Sequence, residues 1–416
     1  MNPAETKITI IIPTHNRAPS TKRLLDKLAL QTYPKELMEV IAVANSCEDN
    51  TVEMLRSYHA LYAFQYAETS GAGPAVPRNK GASMAKGDIL IFLDDDVDPS
   101  EGLAEAHVRA HEDDRSVVIG YLPLSMPERA GYFRKNLKMW WENKFQQMRK
   151  QGYRYNYEDL ISGNFSISAK LFNEVDGFIT TLRCRDDYEL GIRLLNSNAN
   201  FKLSMEAHGL HCDEVTDFER SLKRKREEGR TDVKLWRTHP ATTNSLQNEY
   251  REKKFGFPES KKAYFLIHWP RLTDMYAKLV KGQLKIMERW GLRGKWSRAS
   301  YRLLTYWYYR GLMDELKTQE SLLRYFSHEP DESGIKKTDI NLENGLKAAE
   351  AILDEERPHA ATIFYGHEKI GTIPFKPGTE RLKGVHLRRI LATTFSKSLM
   401  KTLALKKLSQ KTGAIS

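Results

Sequence analysis

The chain has 416 residues and a formal net charge of +11, with 40% hydrophobic and 29% charged residues. These values are typical of a soluble globular protein with a buried core. The three cysteines are scattered without metal-ligand spacing, and the first residues lack the layout of a signal peptide. No apolar run approaches the roughly 18 residues that span a bilayer. We therefore expect a cytoplasmic protein without a transmembrane helix.

The charge is unevenly distributed along the chain. Residues 1–215 contain 25 Lys and Arg against 30 Asp and Glu, whereas the remainder contains 40 against 24. The first half is therefore −5 and the second half is +16. A basic second half is compatible with an anionic membrane, a glycan or nucleic acid as partner, and equally with a basic surface that has no dedicated partner. No nucleic-acid-binding motif accompanies the basic residues, so we expect no nucleic acid partner.

The first 120 residues alternate between β-rich apolar runs and segments with helical spacing. The helical segment Thr21–Leu30, for example, places leucines three and four positions apart. Such an order predicts an α/β fold with a mostly parallel sheet flanked by helices. Sheets of this kind bind their ligands at the carboxyl ends of the strands. The predicted strands are Ile8–Pro13, Met38–Val43, Phe64–Ala67, Ile89–Leu93 and Ser116–Tyr121.

Beyond residue 130 the sequence becomes richer in aromatic and polar residues. Two β-like runs after Pro358, parted by Gly366, predict a hairpin. The closing segment Leu387–Lys411 predicts a basic amphipathic helix that either packs on the protein or lies on an anionic bilayer. We divide the chain into a catalytic domain (1–240), a helical, aromatic-rich extension (241–325), a linker and helix (326–358), and a small accessory α+β tail (359–416).

Three consecutive acids follow the fourth predicted strand, namely Asp94, Asp95 and Asp96. Adjacent carboxylates repel one another by about 1 kcal/mol per pair in water, and by more where water is scarce. A cation is therefore expected among them. A divalent metal that carries a phosphorylated ligand satisfies this requirement.

Three further segments carry residues suited to chemistry. Arg78 and Asn79 lie where a Gly-rich loop opens a helix, and both helix starts and arginines attract phosphate. Asp186 and Asp187 open another helix, where a carboxylate can act as a general base or as a helix cap. His211 is a candidate metal ligand, although a lone histidine is more often structural.

Taken together, these motifs resemble those of the inverting nucleotide-sugar glycosyltransferases of family 2, which have the GT-A fold. The resemblance extends from about Lys7 to Arg230. It implies a binding site for a nucleotide-sugar donor. The residues implied to border the base and ribose are Pro13, Thr14, Arg17 and Asn45, those implied near the diphosphate are Arg78 and Asn79, and those implied to face ribose and metal are Asp94 and Asp95.

The resemblance also implies a metal site and a catalytic base. Asp96 is the leading metal ligand, with Asp95 and His211 as further candidates, and Mn²⁺ or Mg²⁺ suits carboxylate ligands. Asp187 takes the position of the base. Gly163, Asn164 and Asp186 match segments on the acceptor side of the cleft.

One position departs from the family pattern. Ala44 stands where relatives usually have an Asp that contacts the base, and its neighbour Asn45 can replace that acceptor only in part. UDP-sugars are favoured because they are the commonest donors of the family, and Ala44 keeps GDP- and dTDP-sugars open.

The resemblance implies a metal-dependent inverting glycosyltransferase that transfers a sugar to a hydroxyl of a glycan, lipid-linked or other acceptor. An anionic membrane surface is a further expected partner, which would place the protein at the inner face of the membrane. Two alternatives are an inactive glycan- or lipid-binding scaffold and a nucleotidyltransferase. The segment Pro13–Arg17 disfavours the nucleotidyltransferase because it lacks the expected glycines.

Overall fold

The structure is a computed structural model that describes residues 5–213, 217–242, 247, 269–330 and 332–412. The chain divides into two compact units. The first contains residues 1–145 and 157–329, and the second contains residues 146–156 and 330–416. The sequence-based division into four segments stays a prediction.

An eight-stranded mixed sheet forms the centre of the first unit, in the order β3-β2-β1-β4-β7-β6-β8-β5. The strands β3, β2, β1 and β4 are parallel, whereas β7 runs antiparallel between β4 and β6. The mostly parallel α/β sheet predicted from the sequence is thus confirmed. The strands are β1 (Ile8–Thr14), β2 (Met38–Asn45), β3 (Ala63–Thr69), β4 (Ile89–Leu93), β5 (Val97–Pro99), β6 (Ser116–Tyr121), β7 (Asn164–Ser168) and β8 (Asn200–His211).

The central strands are apolar because helices cover both faces of the sheet. Every residue of β1, β2 and β4 is buried, as expected for parallel strands packed on both sides. Ile8 pairs with Met38 on one side and with Ile89 on the other. This register brings the carboxyl ends of the three strands to one edge of the sheet.

Eleven helices are described in the first unit. The first starts at Ala18, earlier than predicted, because Pro19 is compatible with the first turn of a helix. They are α1 (Ala18–Leu28), α2 (Thr51–Ser57), α3 (Ala75–Met84), α4 (Leu103–Ala110), α5 (Tyr132–Met148, which ends in the second unit), α6 (Ala169–Glu174), α7 (Asp186–Asn196), α8 (Phe218–Thr238), α9 (Pro270–Arg289), α10 (Arg293–Leu316) and α11 (Gln319–Ser327).

Helices α8 and α10 pack closely at a pair of glycines. A Cβ atom at Gly311 would overlap the carbonyl oxygen of Arg226, and one at Gly229 would overlap that of Tyr308. Arg226 Nε donates to Asp314 Oδ2 at 2.7 Å, which adds an ion pair at the same crossing. The basic run within α8 is therefore part of a helix that is fixed to its neighbour.

The second unit contains a three-stranded sheet in the order β11-β10-β9. The hairpin predicted after Pro358 is present as the antiparallel pair β10 and β11. The additional strand β9 lies within the segment assigned to a linker and a helix, and it pairs in parallel with β10. The elements are β9 (Lys337–Asn341), α12 (Leu346–Glu356), β10 (Ala360–Tyr365), β11 (Glu368–Ile373), α13 (Gly384–Thr393) and α14 (Ser396–Thr412).

Candidate active site

The predicted site residues from four distant segments meet at one edge of the sheet. Asp94, Asp95 and Asp96 directly follow β4, and Asn45 ends β2, which is separated from β4 by β1. Asp186 and Asp187 form the first turn of α7. Arg78, on α3, joins these groups.

Arg78 bridges the acids after β4 and those of α7. Its Nη2 donates to Asp94 Oδ1 at 2.8 Å, and its Nη1 donates to Asp186 Oδ2 at 2.9 Å. The side chain is only 3% exposed, and its guanidinium carbon lies 5.4 Å from the centre of the Phe178 ring. A contact between Arg78 and a diphosphate, as the sequence predicts, would require this buried side chain to become accessible.

Arg17 is the cation that the other two acids contact. Its Nη1 donates to Asp95 Oδ1 at 3.0 Å and to Asp96 Oδ2 at 2.5 Å. Both acids are nearly buried, whereas Arg17 is one-quarter exposed. The electrostatic need for a cation is thus met in this structure by a guanidinium from the loop after β1.

Burial shifts the protonation of two of these acids. Burial raises the pKa of Asp95 to about 7, although Arg17 acts in the opposite direction, and nearby Asp96 adds to the rise. Burial likewise raises the pKa of Asp186 to about 6, against the effect of Arg78 and with that of Asp187. Perturbed carboxylates of this kind are common at functional sites.

Asp96 keeps one oxygen available to a further partner. Its buried Oδ1 has no hydrogen bond, and His211 Nε2 lies 3.4 Å away. Although burial opposes the shift, His211 and Arg17 lower the pKa of Asp96. Among the described residues no group of three or more His, Cys, Asp or Glu forms a metal-binding cluster. The chemistry of Asp96 and His211 nevertheless fits a Mg²⁺ or Mn²⁺ ion, because such ions commonly take one or two protein ligands and complete their shell with phosphates and water.

Asp187 lies half-buried next to this group. Its Oδ1 accepts a hydrogen bond from the backbone N–H of Tyr188 at 2.9 Å, and its Oδ2 accepts one from Ser162 Oγ at 3.3 Å. Both contacts fix the orientation of the carboxylate. Such a carboxylate can accept a proton from a substrate hydroxyl.

Three predicted site residues use their side chains within the protein. Asn45 donates to the carbonyl oxygen of Gly71 at 3.0 Å and thereby anchors the Gly-rich loop. Asn79 makes two hydrogen bonds with the backbone of Phe178, at 2.7 and 2.9 Å. Asn164 is fully buried and donates to the carbonyl oxygen of Ala207 at 2.9 Å. The structure therefore gives these asparagines positioning contacts, and it places Asn164 inside the protein and not on an acceptor surface.

The remaining predicted residues border the acids. Thr14 is buried at the end of β1, next to Pro13, and its Oγ1 lies 2.8 Å from Thr21 Oγ1. A Cβ atom at Gly163 would lie 2.9 Å from Asp94 Oδ2. Any side chain at position 163 would therefore displace the Asp94 carboxylate.

The sequence interpretation missed the residues that hold Asp187 and the segment before it. Ser162 precedes the predicted Gly163, but a lone serine gives no functional signal. Arg185 has a left-handed backbone with φ 57° and an ion pair with Glu228 at 3.0 Å. Its second partner, Asp232, accepts a hydrogen bond from Tyr308 at 2.5 Å. These contacts fix the start of α7 through α8 and α10, and separations of 40 or more residues hide them from sequence reading.

Comparison with known proteins connects this site to one family. Residues 9–176 match the family described as glycosyl transferase family 2. A poly(ribitol-phosphate) beta-glucosyltransferase of Bacillus spizizenii is 34% identical over 121 residues, which are 28% of this chain and 19% of that protein. The uncharacterized glycosyltransferase YfnE of Bacillus subtilis is 31% identical over 148 residues, 35% of this chain and 34% of YfnE. The matched part is therefore about a fifth to a third of these relatives.

Two solved structures are also similar. A mannosyltransferase of Pyrobaculum calidifontis, in complex with GDP-Man and Mn²⁺, has a TM-score of 0.47 and 16% identity, and the match covers 77% of this chain and 87% of that one. Staphylococcus aureus TarS has a TM-score of 0.40 and 20% identity, with 55% and 40% covered. The family match and the observed sheet agree with the predicted GT-A fold. Residues 9–176, which include Arg78 and the three acids after β4, are thus the part of the chain that is similar to glycosyl transferase family 2.

Proposed function

We propose that the chain is an inverting glycosyltransferase that moves a sugar from a nucleoside-diphosphate sugar to an acceptor hydroxyl. The observation that carries this proposal is the Arg78 bridge, which ties the acids after β4 to the first turn of α7. A donor bound at the acids would thereby have Asp187 next to its sugar. The family match over residues 9–176 supports the same class of reaction.

Asp187 is the proposed catalytic base. Its carboxylate takes the proton from the acceptor hydroxyl as that oxygen forms its bond to the anomeric carbon and the nucleoside diphosphate departs from the opposite face. The hydrogen bonds from Ser162 and from the Tyr188 backbone hold the carboxylate in orientation. A positioned base of this kind contributes about 10²–10⁴ in rate.

We assign donor binding to the residues around Arg17 and Thr14. Arg17 reaches Asp95 and Asp96 with one nitrogen and leaves its other guanidinium donors to a phosphate. Pro13, Thr14 and the Asn45-anchored loop would border the base and ribose. Asp96, with His211 and with Asp95 as a further candidate, would hold Mn²⁺ or Mg²⁺, which when bound neutralises charge on the departing diphosphate.

The donor and acceptor are proposed by class. UDP-sugars are the favoured donors. GDP- and dTDP-sugars should also be tested, because the side chain of Ala44 provides no hydrogen-bond acceptor for the base. A hydroxyl on a glycan or lipid-linked acceptor is proposed on the acceptor side. Several relatives are poly(ribitol-phosphate) glycosyltransferases by name, so a phosphate-bearing polyol polymer is one such acceptor to include.

The test is release of nucleoside diphosphate from a panel of UDP-, GDP- and dTDP-sugars by the purified full chain with Mn²⁺ or Mg²⁺ and an acceptor. Asp187→Asn is expected to lower the rate constant about 10²–10⁴-fold while donor affinity, measured by calorimetry, stays within about threefold. NMR of the product should show the inverted anomer.

Asp114→Asn is the matched control, since Asp114 is half-exposed and its carboxylate pairs, within the described part of the chain, only with the exposed Lys170. It should retain the parent rate. Full turnover by Asp187→Asn contradicts the assignment of the base. Donor binding without release of nucleoside diphosphate across the panel would favour the inactive scaffold, and release of pyrophosphate from a nucleoside triphosphate would favour a nucleotidyltransferase.

A further inference from the structure

Helix α9 leaves a row of large apolar side chains exposed on the surface of the first unit. Ile286 is 58% exposed and Trp290, just after the helix, is 74% exposed. Large side chains are rarely exposed together in this way unless the surface meets a partner. The full row is Trp269, Leu272, Met275, Tyr276, Leu279, Ile286 and Trp290.

These side chains share one face of the helix. At about 100° per residue, the seven positions fall within an arc of about 120°. Ala277 and Leu284 lie on the adjacent face and are buried in a cluster with Trp296 and Leu303. The helix is thus held to α10 by one apolar face and presents a second apolar face to the outside, which we name the α9 face.

Basic residues border the α9 face along one side. Arg271, Lys278, Lys285 and Arg289 are all exposed, and none of them has an acidic partner among the described residues. Over residues 269–302 the sequence contains nine Lys and Arg against two acids. The surface is therefore apolar in its centre and cationic at its edge.

This arrangement matches a helix that lies in the interface of an anionic bilayer. Such helices combine an apolar face that contains Trp, Phe or Leu with Lys and Arg on the polar side. Trp269 and Trp290 stand at the two ends of α9, and tryptophan favours the level of the lipid headgroups. No helix of the described residues is long and apolar enough to cross a membrane, so contact of this kind would be parallel to the surface.

We propose that the α9 face binds to the surface of an anionic lipid bilayer. The charge complementarity of the basic edge selects a bilayer with anionic headgroups over a neutral one. The last helix, which the sequence also suggested for this role, is less suited. In α14 Leu399 packs on the core of the second unit, and Lys406 pairs with Glu343.

The experiment measures sedimentation of the full chain with vesicles of phosphatidylcholine alone and with vesicles that contain phosphatidylglycerol. Binding is expected only with the anionic vesicles and should weaken as salt is raised. Replacement of Leu272, Leu279 and Ile286 by Gln should lower the partition coefficient at least about tenfold. Replacement of Lys278, Lys285 and Arg289 by Gln should lower the partition coefficient about 100-fold, because each lost charge is expected to lower it about fivefold.

Two control variants test whether the effect belongs to this face. Leu30 and Leu61 are 62% and 77% exposed elsewhere in the first unit, so their replacement by Gln should leave binding unchanged. Replacement of the exposed Lys7, Lys80 and Lys86 by Gln matches the loss of three charges and should lower the partition coefficient much less. Circular dichroism should show the parent fold for each variant.

Equal binding to neutral and anionic vesicles would overturn the proposal, as would parent-level binding by the α9 variants. A dimer in light scattering that the α9 apolar variant converts to monomer would assign the face to a second copy of the chain instead. The proposal does not depend on catalysis, because Asp187→Asn should bind vesicles like the parent. Loss of glycosyl transfer and loss of vesicle binding are therefore separately measurable.

Discussion

The active-site edge and the α9 face use charged residues in opposite ways. At the edge, Arg78 is 3% exposed and contacts two carboxylates, and the nearly buried Asp95 and Asp96 share Arg17. On α9, Lys278 and Lys285 are exposed and lack acidic partners among the described residues. A buried charge requires a partner, whereas an exposed one is stabilised by water. The same residue types should therefore respond very differently to substitution in the two regions.

The largest effect is expected at Arg78. Arg78→Met leaves Asp186 buried without its cation, which should lower the free energy of unfolding by about 3–5 kcal/mol at pH 8. The pKa of Asp186, already raised to about 6, should rise further without Arg78, so the acid becomes neutral and the loss smaller at pH 5. Urea denaturation at both pH values measures this difference.

The double variant Arg78→Met with Asp186→Asn is the control, because it removes the unpaired charge. It should regain part of the stability at pH 8. A loss below about 1 kcal/mol in the single variant would show that the bridge is not a buried ion pair in solution.

A comparable effect is expected from two buried histidines beneath the sheet. His107 and His111 both contact Ser166, and burial lowers the pKa of His107 to about 4 and that of His111 to about 3. Their neutral forms contribute stability that is fully present above the unfolded value near 6.5 and is lost as the pH falls towards the folded values. For His107 this amounts to about 3 kcal/mol.

Replacement of His107 by Gln should therefore reduce the loss of stability between pH 7 and pH 4.5. The unfolding free energy is measured at both pH values for the parent and for the variant. The acids contribute equally to the pH dependence of both proteins, so their contributions cancel when the two pH-dependent differences are compared. Equal differences for the two proteins would contradict the buried neutral histidine.

An intermediate effect is expected at Arg17, whose side chain is one-quarter exposed. Arg17→Gln removes the cation between Asp95 and Asp96 and should destabilise the protein by about 1–3 kcal/mol without metal. Mn²⁺ should raise the melting temperature of the variant more than that of the parent, because the ion then replaces the cation that Asp95 and Asp96 have lost. The same shift in both proteins would mean that the ion binds elsewhere.

The smallest effect on stability is expected on the α9 face. Lys278→Gln should change the free energy of unfolding by less than about 0.5 kcal/mol, since the side chain is exposed. Thermal denaturation checks this value. A loss above about 1 kcal/mol would show that the lysine has a partner in the folded chain. Charged residues of the α9 face and of the active-site edge would then respond more similarly to substitution.

Much of the parallel half of the sheet could be predicted from the sequence. Strands such as Ile89–Leu93 are short apolar runs that end at polar residues, so composition alone marks their bounds. The strand β7 was not predicted, because its antiparallel place between β4 and β6 depends on pairing and not on local pattern. In the second unit, β9 was not predicted within the segment 326–358, which was expected to form a linker and a helix. Its sequence Lys-Thr-Asp-Ile-Asn is mostly polar and gives no strand signal.

The site shows the same division between local and distant information. The positions of Asp94–Asp96 after a strand and of Asp187 at a helix start follow from local sequence, and the structure places them together. The hydrogen-bond partners of these acids cannot be predicted from local sequence, since Arg78 and Asp186 are 108 residues apart. That Arg17 would occupy the acids, and that Asn164 would be buried, both depend on packing that no local motif encodes.

The anchoring of Arg185 by Glu228 and Asp232 has a consequence for engineering. The segment that matches the family ends at residue 176, yet Arg185, which precedes the two acids of α7, is held by α8, and Asp232 of that helix is in turn bound by Tyr308 of α10. A minimal fragment cut after β8 would keep every predicted donor-binding residue but lose Glu228 and Asp232, the partners of Arg185. Grafts between relatives should therefore exchange the sheet together with its α8–α10 helix pair.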